Sequence, residues 1–178
     1  MREPLRLARL DEADAIDALM KASTRDLFPA YYDAVQTEAS IQFIASVDTA
    51  LIADGTYFVA EIDGELVACG GWSRRDKLYT GSGEGDTDAR LLDPAIEPAR
   101  VRAMFVRPDW TRRGLGRRIL EACEAAARAE GFQKMALMAT LPGRPLYEAY
   151  GFRGTGQTMV RMPNGVELAC EPMEMPLL

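Results

Sequence analysis

The sequence predicts an α/β protein of the α+β type, a single domain over residues 1–178 in which helices pack on one mixed sheet. Three observations carry that expectation. Short β-branched and apolar runs recur along the whole chain. Two of their junctions, Asp63-Gly64 and Asn164-Gly165, are dipeptides that favour hairpins. An amphipathic stretch from Leu115 to Glu130 lies between two strand-like runs.

In chain order, PLRLARL alternates with Leu5 and Leu7 on one face and reads as a first strand. Asp11 then stands where it can cap a helix carrying Ile16, Leu19 and Met20. The aromatic-rich STRDLFPAYYDAV reads as a loop or a broken helix. A second helix follows around Glu38 to Val47, with Ile41, Ile44 and Val47 inward. TYFVAEIDGELVACGGW is a hairpin whose Asp63-Gly64 corner suits a type I′ turn, and Gly70 and Gly71 end or bulge its second strand.

Residues 73–99 are polar, with six acids, four bases and glycines at 81, 83 and 85. A connection of that length is either functional or a disordered insert. VRAMFV, residues 101–106, is a strand stopped by Pro108. The helix from Leu115 has a stripe of Leu115, Ile119, Ala122, Cys123 and Ala126, and Gly131 supplies its C-terminal cap. KMALMAT is a strand, PLYEAY a short helix opened by Pro145, and two final strands flank Asn164-Gly165.

Composition narrows the chemistry. The 178 residues include no histidine, which disfavours transition-metal sites and histidine-dependent hydrolases. Cys69, Cys123 and Cys170 are widely spaced and indicate neither a disulfide framework nor a metal site. No apolar run is long enough for a membrane span, and none near Met1 serves as a secretory signal, so a cytoplasmic address is expected. The net charge of -6 argues against a general nucleic-acid surface. From Arg100 to Arg118, however, seven arginines face one acid, Asp109. A local positive site on an acidic protein suits a compact anion.

RPDWTRRGLGRRI, residues 107–119, is the centre of that site. It lacks the lysine and hydroxyl of a P-loop and the third glycine of a dinucleotide fingerprint, where Ile119 stands. What remains is a strand, a loop and a Gly-x-Gly at the first turn of a helix. The unpaired N–H groups and positive dipole end of such a turn receive a phosphate, and small residues let it approach. The plainer alternative is a tight strand-to-helix turn with solvated arginines.

On these residues the chain resembles the GCN5-related N-acetyltransferase (GNAT) superfamily. MFVRPDWTRRGLGRRIL supplies Val106, Pro108, Gly114, Gly116 and the following helix, and LYEAYGF matches the later Tyr-x-x-x-Gly-Phe signature. Thr111 stands where that family places glutamine or arginine. The resemblance implies a mostly antiparallel sheet with helices on both faces and the fourth and fifth strands splayed. It implies acetyl-CoA as cosubstrate and no metal. Its pyrophosphate would lie on backbone N–H groups of Arg112, Arg113, Gly114, Leu115, Gly116 and Arg117, and its pantetheine along Met104, Phe105 and Val106.

The N–H near Phe105 or Val106 would polarise the thioester carbonyl, and Tyr147 would protonate the departing thiolate. A small-molecule or peptide amine is the implied acceptor, attacking directly, and a homodimer is in keeping with the family. With no histidine, the base is a carboxylate (Glu61, Glu65 or Asp26), a backbone carbonyl or a water chain. A non-catalytic acyl-CoA-binding module on the same fold is the alternative reading. Arg102, a charge within a central strand, requires a substrate carboxylate or an acid from residues 73–99, the internal salt bridge being preferred.

Overall fold

The computed structural model describes residues 4–77 and 90–178. Its strands are β1 (Leu5–Leu7), β2 (Tyr57–Ile62), β3 (Glu65–Ser73), β4 (Ala99–Val106), β5 (Lys134–Thr140), β6 (Arg153–Gly154), β7 (Thr158–Arg161) and β8 (Glu167–Pro176). Its helices are α1 (Ala13–Leu27), α2 (Ala34–Phe43), α3 (Thr49–Ala53), α4 (Leu115–Ala129) and α5 (Arg144–Tyr150). The strands form one sheet in the order β1-β2-β3-β4-β5-β8-β6, with β7 also on β8. Every pairing is antiparallel except β4 with β5. The mixed, mostly antiparallel sheet is therefore as the sequence implies.

Local chemistry accounts for most boundaries. Asp63 and Gly64 both have positive φ, at 51° and 82°, as a type I′ corner demands. The β7–β8 corner differs. There the Gly165 amide donates to the Met162 carbonyl at 2.8 Å and only Gly165 has positive φ. Pro163 holds its own φ negative, so a type I turn followed by a glycine bulge replaces type I′.

α4 ends in a Schellman motif. The Phe132 amide donates to the Ala127 carbonyl, the Gly131 amide to Arg128, and Gly131 has φ 91°. The buried stripe of α4 is Leu115, Gly116, Ile119, Leu120, Cys123 and Ala127, so Ala122 and Ala126 sit at its margin.

Three expectations shift. Asp11 does not cap α1. It lies in a one-turn 3-10 segment, paired with Arg9, while Glu12 accepts the Arg9 amide at 2.8 Å. The second helix starts earlier, at Ala34, because Asp33 and Gln36 form a capping box, and Ile44 and Val47 fall beyond its end. α3, capped by Asp48, has no counterpart in the sequence reading. In the 73–99 connection the described flanks are tied down, with Arg75 bridged to Leu91 and Leu92 buried. The three glycines at 81, 83 and 85 lie outside the described residues.

Helices cover both faces. α4 packs with Ala99, Val101, Met104 and Val106 of β4, and with Met135, Leu137 and Ala139 of β5. α1 and α3 cover the opposite face, with Ala103 and Phe105 of β4. β4 thus changes phase midway: odd residues face α4 before position 102, even ones after 103. The cause is a bulge. The β3–β4 register slips between Cys69 and Gly71, and Ala103 takes φ 52°. Gly70 and Gly71 face this slip without ending β3, which continues to Ser73. A Cβ on Gly71 would stand 2.2 Å from the Thr56 carbonyl oxygen, so only glycine fits there.

Candidate active site

β4 and β5 pair only through Ala99 with Met135 and Arg100 with Ala136. Beyond those residues the parallel strands diverge, and a cleft of about 690 Å³ opens between them. It runs from the start of α4 on one face of the sheet to the end of α1 on the other. Met104, Phe105 and Val106 line it, as do Arg112, Gly114, Leu115, Gly116, Arg117 and Tyr147. Nine of the ten sequence-identified site residues therefore meet in one cavity.

The tenth, Arg113, is turned aside, its guanidinium 4.2 Å from the centre of the Trp110 ring.

Beyond Arg100 the described edge of β4 forms no ladder with β5. The Arg107 amide donates to the Val67 carbonyl of β3 at 2.8 Å. Donor directions alternate along a strand, so the Phe105 amide also faces β3 and the Val106 amide faces the cleft. Of the two amides named from sequence, that of Val106 is the one facing the cleft.

At the strand-to-helix turn, no described residue accepts a hydrogen bond from any backbone N–H between Arg112 and Arg117. The first acceptor in the turn is the Gly114 carbonyl, taken by the Arg118 amide at 3.1 Å. Arg112 and Gly114 both have positive φ, 61° and 81°. The two glycines serve different ends. Gly114 supplies a left-handed backbone in open space, where a Cβ would meet nothing within 4 Å.

Gly116 is buried, and a Cβ there would stand 2.7 Å from Cδ2 of Leu146, so its smallness lets α4 dock on α5. Thr111 donates to the Pro108 carbonyl at 3.1 Å and closes the preceding turn. Arg112, exposed at the lip of the cleft, is the arginine beside it.

Tyr147 projects from α5, one ring against Phe152 at 5.9 Å. Among the described residues its hydroxyl has no hydrogen-bond partner. Burial pushes the phenol well above its ordinary value, so it stays protonated at any working pH. Tyr150 is turned elsewhere, donating to Glu124 beneath Arg117.

The carboxylates named from sequence lie outside the cleft. Glu61 is held by Arg6, Glu65 by Arg107 at 2.7 Å, and Asp26 is exposed. Arg102 resolves into an internal ion pair, 3.6 Å from Asp48, with its guanidinium also reaching the Lys77 carbonyl. The described acid beside it, Asp48, comes from the cap of α3, and the acids at 84, 86 and 88 lie outside the described residues.

Among the described residues, no cluster of His, Cys, Asp and Glu could hold a metal, and no helix is long and apolar enough to cross a membrane. A bent central strand, a seam beside it and a helix start with open amides define an acyltransferase-type fold. The model of the acetyltransferase (GNAT) domain matches residues 53–154, and the chain belongs to that family. No curated protein matches the sequence.

Solved structures share the fold. The GCN5-related N-acetyltransferase from Rhodopseudomonas palustris is 22% identical, with a TM-score of 0.75 over 99% of this chain and 97% of its own. PaiA N-acetyltransferase from Thermoplasma acidophilum, in complex with coenzyme A, is 12% identical, with a TM-score of 0.67 over 99% of both chains. YncA from Salmonella typhimurium, with acetyl-CoA, is 18% identical, with a TM-score of 0.64 over 100% of this chain and 95% of its own.

Proposed function

We propose that the protein is an acetyl-CoA-dependent N-acetyltransferase that transfers the acetyl group directly to a primary amine. The observation that carries this reading is the run of amides from Arg112 to Arg117, without an acceptor among the described residues, at one end of the β4–β5 seam, with the Tyr147 phenol in the same cleft. Consecutive open N–H groups at a helix N-terminus suit a pyrophosphate. Membership of the family and the coenzyme-bound neighbours support the same donor.

The residues fit acetyl-CoA, which supplies the activated thioester. The turn amides and Arg112 would hold its phosphates. The free edge of β4 would pair with the pantetheine amides in the manner of an added strand. The Val106 N–H would polarise the carbonyl, and Tyr147 would give its proton to the leaving sulfur.

The test is calorimetric titration with acetyl-CoA, followed by release of free CoA thiol over a panel of amines. Saturable binding with amine-dependent thiol release supports the enzyme. Binding with no turnover on any amine supports a non-catalytic acyl-CoA-binding module, and absence of binding removes both readings.

A further inference from the structure

The far end of the cleft, on the face opposite the α4 turn, is lined by Leu27, Phe28, Tyr31, Ile44, Met138 and Val160. These side chains come from α1, the segments flanking α2, β5 and β7. Among the described residues that line the cleft there is no Asp, Glu or Lys. Its ionisable or charged side chains are Tyr31, Tyr147, Cys170, Arg102, Arg112 and Arg117. Arg112 and Arg117 belong to the α4 end, and Arg102 is paired with Asp48.

Cys170 sits beside Tyr32, and burial raises its thiol to about 12. Among the described residues, Asp48 is committed to Arg102 and Lys77, and Glu171 to Arg144.

Resting on the acetyl-transfer reading above, we propose that the acceptor is an amine on an apolar or aromatic skeleton. It is bound as the free base, the apolar wall selecting the neutral form so that no basic side chain is called on. An ammonium ion entering this wall would shed its hydration and find no counter-charge among the described lining residues, which favours the neutral amine. A polyamine would carry further charges into the same wall and is selected against.

The step balances without a basic side chain. The neutral nitrogen forms the C–N bond as the C–S bond breaks. Its surplus proton leaves to water, and Tyr147 protonates the thiolate and recovers a proton from water.

The experiment compares phenethylamine with spermidine at saturating acetyl-CoA, across a pH range, after binding of acetyl-CoA alone has been measured. We expect kcat/KM to favour phenethylamine by about 100-fold or more, given the cost of burying an unpaired charge. We also expect its value to climb about tenfold per pH unit toward the amine's own value near 10.

Tyr31, half exposed at the rim, gives a variant that leaves the core intact. Tyr31→Glu should shift the ratio toward spermidine by about fivefold. A preference for spermidine, or a plateau setting in at neutral pH whatever the amine, would overturn the inference while leaving acetyl transfer standing. Failure to bind acetyl-CoA, or binding without turnover of any amine, would overturn both.

Discussion

The Tyr57 hydroxyl, on β2, donates a 2.7 Å hydrogen bond to the carbonyl of Ala103, the residue at which β4 bulges. Tyr57 is fully buried, and Ala103 holds a left-handed backbone that costs a non-glycine residue about 1 kcal/mol or more. The hydroxyl satisfies a carbonyl that the bulge has taken out of the ladder. Tyr57→Phe should therefore lose about 1–3 kcal/mol in urea unfolding. Ala103→Gly should recover about 1 kcal/mol of it by relieving the backbone. If the bulge aims the Val106 amide, Tyr57→Phe should also lower kcat with little change in the KM for the amine.

Tyr147→Phe keeps the ring that packs on Phe152 and removes only the hydroxyl. Steady-state assays should show kcat reduced by about 100-fold, the low end for a general acid, with acetyl-CoA affinity unchanged. Because burial holds the phenol far above its ordinary value, the wild type should show no alkaline loss of activity from this group up to about pH 10. Equal rates for the Tyr147→Phe variant and the wild type would remove this hydroxyl from the chemistry.

The two glycines of the turn should fail differently. Gly114→Ala meets no neighbour but must hold φ 81°, so it should cost about 1–2 kcal/mol in stability. Gly116→Ala must push Leu146 aside, and Leu146 lines the cleft. Its main effect should be weaker acetyl-CoA binding in calorimetry, partly restored by combining it with Leu146→Ala.

Glu12 gives a pH prediction. Hydrogen bonds from Arg6 hold its carboxyl below the ordinary value of 4.5. A lowered carboxylate stabilises the fold above its unfolded value, and that contribution is lost as pH falls through the folded one. Melting temperature should thus drop as pH falls below about 4.5, and Glu12→Gln should show a shallower acid limb with lower stability at neutral pH.

How much of this was legible in the sequence depended on whether the cause was local. The Asp63-Gly64 corner and the Gly131 cap were readable because a positive φ demands particular residues at adjacent positions. The Arg112–Arg117 turn stood out only through its company, the strand before it and LYEAYGF after it, since a glycine pair at a helix start also suits a plain tight turn or close helix packing. The bulge at Ala103 was not, since the residues that enforce it, Tyr57, Gly70 and Gly71, lie on other strands. Asp48 carries a cap signal, but its pairing with Arg102 joins distant segments and leaves no periodic trace. The apolar far wall is likewise assembled from separate elements, none of which is a motif by itself.

The change of phase in β4 ties two cores to one count of residues. Ala99 and Val101 serve the α4 side only because an extra residue restores Met104 and Val106 to it. Straightening the strand without shortening it would turn every side chain beyond Ala103 to the wrong layer. Phe105 would be driven against α4 and Val106 against α1. Residue count and bulge in this strand are therefore tied together: the two layers keep their side chains after loss of one residue only if the bulge goes with it.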